Sequence, residues 1–378
     1  MITRLGDLIS EYSVRNKLDE DIPVFSVTNE QGFCTGYFSK EVASNDRTTY
    51  KIVPRGYFAY NPSRINVGSV GWQNCEERVI VSPLYVVFGV SEKLNRQYLL
   101  HYLKSDITQT FIKVYATGSV RDNLKFSVLE EFPINLRPIE EQEKIAKKLD
   151  KIDTLISIRK QQLSKLDELV KARFVEMFGD IIQNEKRWPE YIFRDIATSR
   201  LGKMLDAKQQ TGKHNYPYLA NFNVQWFHFE LDNLNQMDFN EDDRVEFELK
   251  EGDLLVCEGG EIGRCAVWHN EIQPCYFQKA LHRVRCNKKV ILPDYLAWWF
   301  KYNCEHKGFA AIEGAKATIA HLPGAKLKSL LVVTPPLELQ EQFAAFVEQT
   351  DKSKLTIQQS LDKLELLKKA LMQEYFGG

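Results

Sequence analysis

The stretch PIEEQEKIAKKLDKIDTLISIRKQQLSKLDELVKARFVEMFGD, Pro138–Asp180, decides the fold, because it returns as PLELQEQFAAFVEQTDKSKLTIQQSLDKLELLKKALMQEYFGG from Pro336 onward. The copies align without a gap from Pro138 to Gly179 and from Pro336 to Gly377, a constant offset of 198, with about 16 of about 43 positions identical. The chain is therefore duplicated. In the first copy Ile145, Leu149, Ile152, Ile156, Leu163, Leu166, Val170 and Met177 recur at alternating steps of four and three, skipping Arg159 and Arg173, which is coiled-coil spacing. The second copy runs Phe343, Val347, Ile357, Leu361, Leu364, Leu371 and Tyr375, with Thr350, Lys354 and Lys368 interrupting the seam. Pro138 and Pro336 suit a first helical turn, where a missing N–H costs little, and Gly179 and Gly377 suit the stop. Each copy is predicted to be one helix of about 40 residues, or about 60 Å. One small domain cannot cover an apolar stripe of that length. Each helix is therefore expected to lie antiparallel against its own repeat, related by a pseudo-twofold axis, with the globular parts at opposite ends.

Working outward, the duplication continues upstream. Tyr50–Gly56 (YKIVPRG) resembles Glu246–Gly252 (EFELKEG), Trp72 pairs with Trp268, Tyr98–Lys104 (YLLHYLK) echoes Tyr295–Lys301 (YLAWWFK), and Gly118 corresponds to Gly314. The predicted order is a first head over residues 1–135, a central helical spacer over 136–180, a second head over 181–334 and a distal helical spacer over 335–378. Within the heads, Tyr50–Val53, Val79–Val81, Tyr85–Val90, Leu254–Val256 and Ala280–Val284 read as strands between Gly, Pro and Asn turns. Ser91–Lys104 and Pro293–Lys301 read as short helices. The expected fold class is α/β in the broad sense: mixed α+β heads, two similar domains separated by two long antiparallel coiled-coil helices, with a pseudo-twofold internal repeat.

Composition agrees with two globular domains: 378 residues, 44% hydrophobic and 27% charged. Apolar runs such as Leu330–Val333 fall far short of the roughly 20 residues a membrane span needs. Met1–Asp7 has no secretory pattern, so a cytoplasmic location is expected. Seven cysteines, none spaced Cys-x-x-Cys, predict reduced thiols rather than a disulfide framework or a zinc ribbon. A net charge of −1 and a pI near 6.7 deny the whole molecule the positive field common in nucleic-acid binders. No segment is strongly basic either.

Enzymatic motifs are weak. Cys265-Ala-Val-Trp-His269 and His282-Arg-Val-Arg-Cys286 form a mirrored Cys-x-x-x-His pair, but without close Cys spacing, so no metal site is assigned. Gly259–Gly263 lacks a following Lys-Ser or Lys-Thr and reads as a turn. Asn61-Pro62-Ser63-Arg64 lacks the second proline and the aromatic residue of an adenine-methyltransferase motif. With no Walker A, Gly-x-Ser-x-Gly or His-Glu-x-x-His sequence, the chain reads as noncatalytic.

The segments Pro138–Ile145 and Pro335–Phe343, in this order of head and helix, resemble the helix starts of type I restriction-modification specificity subunits. Gly118–Leu124 and Gly314–Ile319 look like that family's Gly-led loop before the long helix, and Tyr216–Leu219 fits near the start of the second head. The resemblance covers essentially the whole chain. It departs at Arg137-Pro138, where the family often has Pro-Pro, and at Leu339-Gln340, where it often has Glu-Gln. The resemblance implies two target recognition domains reading an asymmetric bipartite site in double-stranded DNA. Adenine methylation and restriction would then belong to partners: two modification subunits and the restriction subunits. S-adenosylmethionine, ATP and Mg²⁺ are expected on those partners and no cofactor in this chain. The alternative from another class is a coiled-coil adaptor whose heads bind proteins without DNA specificity.

If DNA is the partner, phosphate contacts should come from local patches: Arg47, Lys51, Arg55 and Arg64 in the first head, and Lys307, Lys316, Lys326 and Lys328 in the second. Base reading needs paired donors or acceptors, with Arg matching guanine and Asn or Gln matching adenine. Arg121 and Asn123 in the first Gly-led loop, Lys316 and His321 in the second, and Asn221, Asn223 and Gln225 are the candidates. Asparagine in a loop equally serves turn chemistry. Trp226, Phe227, Trp298 and Trp299 offer stacking surfaces, though core packing is the commoner use of such residues.

Overall fold

Both repeated stretches are single α-helices of 40 residues, Ile139–Phe178 and Leu337–Phe376, in the computed structural model of the chain. The structure describes residues 1–29, 31–35, 47–116, 123–205, 210, 212–309 and 321–377. Pro138 sits just ahead of the first helix, and its carbonyl accepts the Gln142 N–H at 3.0 Å. Gly179 stops that helix in the left-handed region at φ +74, donating its N–H to the Val175 carbonyl, a geometry that favours glycine.

The described chain divides into two units, Met1–Gln162 with Ile357–Gly378, and Leu163–Thr356. Each contains a head, part of one long helix and part of the other. In unit 1 the helices pair antiparallel: Lys148 Nζ donates to the Tyr375 hydroxyl at 3.0 Å, Lys368 reaches Asp153 at 2.6 Å, and Lys160 reaches Glu365 at 3.0 Å. As one number rises the other falls. Unit 2 shows the same sense, with Lys354 on Asp167 at 2.6 Å and the Phe174 and Phe343 rings 5.4 Å apart.

Ile145, Leu149, Ile152, Leu361 and Leu371 are buried in unit 1, and Val170 and Phe343 in unit 2. Ile156, Ile357, Leu364, Leu163, Leu166 and Val347 are half-buried. Phe174 is also buried, one residue past the skipped Arg173, because a straight helix of 3.6 residues per turn drifts off a strict heptad. Of the interruptions, Thr350 is buried with its hydroxyl on the Phe346 carbonyl, while Lys354 and Lys368 form the interhelical ion pairs.

The heads share a scaffold. In unit 1 an antiparallel sheet runs Ile9–Glu11, Val86–Val90, Phe58–Tyr60, Val70–Trp72, and in unit 2 the matching sheet runs Ala197–Leu201, Leu281–Cys286, Leu254–Cys257, Cys265–Val267. A ribbon in front of the long helix also recurs, Ile2–Arg4 with Pro133–Asn135 and Glu190–Ile192 with Leu331–Val333. The helix after the sheet is Arg96–Lys104 in unit 1, starting later than expected because Asn95 caps it by accepting the Tyr98 N–H. In unit 2 it is Pro293–Glu305. Beyond the scaffold the heads diverge. Unit 1 adds the ribbons Ser26–Thr28 with Gly32–Cys34 and Lys51–Pro54 with Arg78–Val81. Unit 2 adds a sheet of Asn235–Asp238, Asn215–Leu219 and Tyr276–Phe277, together with the ribbon Val224–Gln225 with His228–Phe229.

Two expected pairings are corrected. Glu246–Gly252 does not form a strand like Lys51–Pro54, since Glu241–Phe247 is helical. What the two stretches share is the closing turn: Gly56 at φ +85 donates to the Gln73 carbonyl, and Gly252 at φ +84 donates to the Trp268 carbonyl. Trp268 therefore answers Gln73, not Trp72. A one-residue difference in a strand flips the side chain to the other face. Trp72 is half-buried beside Gln97, whereas Trp268 is fully buried against Phe229 in a separate core.

One polar residue repeats with its whole environment. Gln142 is fully buried; its Oε1 accepts the Asn95 N–H at 2.8 Å, and its Nε2 donates to the carbonyls of Lys93 at 3.0 Å and Arg137 at 2.7 Å. Gln340 does the same with the Leu292 N–H at 2.8 Å, the Val290 carbonyl at 3.1 Å and the Pro335 carbonyl at 2.7 Å. The recurring Pro-x-x-x-Gln spacing is thus a clamp that ties the start of each long helix to its own head.

Candidate nucleic-acid interface

The hairpin between the last two strands of the shared sheet is where loop residues gather in each unit. In unit 1 it runs from Asn61 to Ser69, closed by the Asn61 N–H on the Ser69 carbonyl. The Asn61 carboxamide oxygen accepts from the Ser63 N–H and hydroxyl, an Asx turn that shapes the hairpin's first corner. The last residue of the first Gly-led stretch meets this hairpin: the Leu124 N–H donates to the Pro62 carbonyl at 3.1 Å, and the Tyr60 hydroxyl donates to the Leu124 carbonyl at 3.1 Å.

Unit 2 repeats the arrangement. Its hairpin is one residue shorter, closed by the Cys257 N–H on the Arg264 carbonyl, and the Leu322 N–H donates to the Glu258 carbonyl at 2.7 Å. His282 Nε2 lies 3.0 Å from the Leu322 carbonyl, making from the neighbouring strand the contact that the Tyr60 hydroxyl makes in unit 1. Burial is the largest influence on that imidazole and pushes its pKa down. His321 bridges to Gly259 at the same hairpin and is exposed.

Of the residues singled out in the sequence, the structure brings Arg64 and Asn123 to the unit 1 hairpin, and Asn221 and His321 to the unit 2 hairpin. Arg64 and Asn123 are exposed. Asn221 is tied inward: its Nδ2 donates to the Gly259 carbonyl at 2.9 Å and its Oδ1 accepts from Arg264 Nη2 at 2.9 Å. Arg121, Lys316, residues 118–122 of the first Gly-led stretch and the whole of the second lie outside the described residues.

Other candidates sit elsewhere. Asn223 is 1% exposed, accepting the Ala220 N–H and donating to the Glu230 carbonyl, so reading a base would break both bonds in a buried place. The expectation of a base reader there is corrected to turn chemistry. Gln225 donates to the Phe222 carbonyl at 3.0 Å. Arg47 pairs with Asp21 at 3.6 Å, and Lys51 donates to the Tyr85 carbonyl at 2.6 Å, its pKa pushed down mainly by burial. Arg55 leans on the carbonyls of Asn74 and Cys75, while Lys307, Lys326 and Lys328 are exposed. Trp298 and Trp299 are core residues; Phe227 stacks on Trp298 at 4.5 Å, and Lys301 lies 4.4 Å from the centre of the half-buried Trp226 ring. Cys265 is buried with its thiol toward the Ala297 carbonyl, and the Cys286 thiol is pushed up to about 12 by burial. Among the described residues no group of three or more His, Cys, Asp or Glu is placed to hold a metal ion.

The sequence reading missed a chain of side chains in unit 1. Trp72 Nε1 donates to Gln97 at 2.9 Å, Gln97 donates to Asp150 at 2.6 Å, and Asp150 lies 2.8 Å from His101 Nε2. Its members stand far apart in sequence, with no spacing signal. The Gln142 and Gln340 clamp did leave a signal, the motif found twice.

Residues 7–168 and 185–366 each match the type I restriction modification DNA specificity domain. The chain belongs to that family. This specificity-domain protein is 20% identical over 301 residues to the type I restriction enzyme EcoKI specificity subunit of Escherichia coli K12, covering 74% of this chain. The match spans 65% of the EcoKI subunit's own length. It is 25% identical over 303 residues to the putative specificity subunit S.HindORF215P of Haemophilus influenzae, covering 76% of this chain and 74% of that protein. In fold it is similar to a type I restriction-modification S subunit from M. genitalium, with a TM-score of 0.59 and 14% identity, over 100% of this chain and 96% of that one. Among the described residues no helix is long and apolar enough to cross a membrane.

Proposed function

We propose that this family member is the DNA sequence-specificity subunit of a type I restriction-modification complex, each head reading one half of an asymmetric bipartite target in double-stranded DNA. The observation that supports it best is the hairpin pair: one scaffold, anchored by the same glutamine clamp, carries different side chains at the same place, Arg64 in unit 1 against Gly260 in unit 2. A shared frame with unlike reading residues is what an asymmetric target requires, because frame contacts position while side-chain contacts to base edges specify.

In this reading the chain is noncatalytic. Two modification subunits bring S-adenosylmethionine and methylate adenine, and restriction subunits bring ATP and Mg²⁺. The net charge of −1 fits a subunit that leaves part of the phosphate contact to its partners, since phosphate neutralisation dominates affinity for DNA. The test is a head exchange. With residues 1–135 replaced by the corresponding head of a relative and the complex purified with its modification partner, sequencing of methylated adenines should show one half of the target changed and the other retained. Methylation at an unchanged sequence would overturn the proposal.

A further inference from the structure

We infer that Arg64 reads a guanine, with Asn29 beside it reading a neighbouring base, in the half-site bound by unit 1; this rests on the specificity reading above. Arg64 stands in a cleft of about 310 Å³ lined by Ser26, Thr28, Asn29, Asn61 and Tyr85 among others. Among the described residues no carboxylate lines that cleft and the Arg64 guanidinium has no hydrogen-bond or ion-pair partner. None of those residues engages its charge and its five donors, which suit an outside acceptor.

The backbone beneath it is fixed. The Arg64 N–H donates to the Asn61 carbonyl at 3.0 Å, and the Arg64 carbonyl accepts from both Val67 and Ser69 at 3.1 Å. A planar fork on a rigid base suits two acceptors held side by side, the pattern that guanine N7 and O6 present in the major groove. A phosphate accepts the same fork, but it is alike at every base, so a phosphate contact would strengthen binding without selecting a sequence.

Asn29 completes the arrangement. Its carboxamide is exposed, has no partner among the described residues, and packs so closely on Gly68 that a Cβ there would come within 2.3 Å of its Oδ1. Gly68, at φ +86, both turns the hairpin and makes room for that carboxamide. An Asn side chain offers one donor and one acceptor in a plane, which matches adenine N7 and N6. Among the described residues unit 2 has no equivalent of this pair. The position answering Arg64 is Gly260, and the nearby Arg264 donates inward to the Asn221 backbone carbonyl and carboxamide oxygen at 3.0 and 2.9 Å.

The experiment compares wild type, Arg64→Ala, Arg64→Lys and Asn29→Ala, each as the full chain in complex with its modification partner. Methylated genomic DNA is read by single-molecule sequencing, and a thermal melt checks folding. Arg64→Ala and Arg64→Lys should both lose discrimination at one guanine of one half-site by about 10- to 100-fold while the other half-site stays strict. Asn29→Ala should relax an adjacent position. A Lys variant that keeps the target, paired with an Ala variant that weakens methylation evenly over all sequences, would mean a phosphate contact and overturn the inference. Unchanged targets in every variant would also overturn it. A wild-type complex with no bipartite target would bring down the specificity reading itself, a result separable from any behaviour of Arg64.

Discussion

In unit 1 the helix Arg96–Lys104 turns His101 toward the long helices; in unit 2 the helix Pro293–Glu305 turns Trp298 to the same place. Around Trp298 the junction is aromatic, with Phe174 at 6.1 Å and Phe343 at 5.8 Å, whereas the contact of Phe178 with Tyr295 at 4.9 Å recurs in unit 1 as Phe376 with Tyr98 at 5.0 Å. Around His101 it is polar, with Asp150 at 2.8 Å, Asp153 at 4.0 Å and Lys368 bound to Asp153. The glutamine clamp and the bond from Tyr98 or Tyr295 to the last strand of the ribbon are common to both. The frame that holds a head on its helix is thus kept, while the filling is free to be dry or ionisable. The two junctions should then fail under different stresses.

The largest difference is expected from Phe343→Ala. Phe343 is fully buried and meets Phe174, Phe178 and Trp298. Its loss should cost unit 2 about 3–5 kcal/mol, as buried aromatic truncations do. Five of the six tryptophans lie in unit 2, so denaturant unfolding followed by tryptophan fluorescence reports mainly on that unit. A midpoint that hardly moves would show that the aromatic filling is not what stabilises this junction.

The clamp should cost less per residue and equally on both sides. Gln142→Ala or Gln340→Ala would leave a buried N–H and two carbonyls without partners, a loss of about 2–3 kcal/mol. Hydrogen exchange at Asn95 and Leu292, whose N–H groups the glutamines accept, should rise in the matching variant only. Protection that survives would mean the backbone is held without the clamp.

Acid should separate the fillings next. Burial is the largest influence on His101 and lowers its pKa, outweighing the pull of Asp150 and Asp153, while Lys368 also lowers it. A histidine whose folded pKa lies below its unfolded value of about 6.5 gives up protons on folding, so its contribution is complete above that pH and is lost as pH falls. Unit 1 should weaken below about pH 6.5. His282, also lowered by burial, gives unit 2 an acid limb of its own beneath the hairpin. His101→Gln should remove the unit 1 limb and leave the other, measured by hydrogen exchange of each unit against pH. An unaltered limb in unit 1 would assign it to other groups.

These contrasts also show what could be read in advance. The long helices were legible because periodicity and duplication say the same thing twice, and the glutamines were visible as a motif though their bonds were not. The Trp72 pairing misled because the unit 2 hairpin is one residue shorter, and a single deletion swaps faces on a strand. Among the described residues the two ribbons added to unit 1 and the sheet and ribbon added to unit 2 have no counterpart in the other head, so the internal repeat carried no information about them. At the candidate interface Arg64 was legible as a basic loop residue. That Asn223 is buried and spent on backbone groups depends on a turn closing over it, which composition cannot show.

The smallest effect is expected where the seam is interrupted. Lys354 pairs with Asp167 in unit 2 and Lys368 with Asp153 in unit 1, with side chains 27%, 61%, 34% and 41% exposed. Half-exposed pairs of this kind give back most of their Coulomb attraction in desolvation and side-chain entropy, so each lysine should contribute only about 0.2–1 kcal/mol. Substituting leucine at either site continues the apolar seam and should leave stability level or slightly higher. The polar residues then act on register, because an antiparallel pair slipped by one turn would set each lysine against a different neighbour while the apolar positions still met. Lys354→Leu together with Lys368→Leu should therefore keep the melting temperature but broaden the distribution of interhelical disulfides formed between cysteines placed along the pair. A single disulfide register in that double variant would mean that the clamps and the aromatic packing set the alignment without the ion pairs.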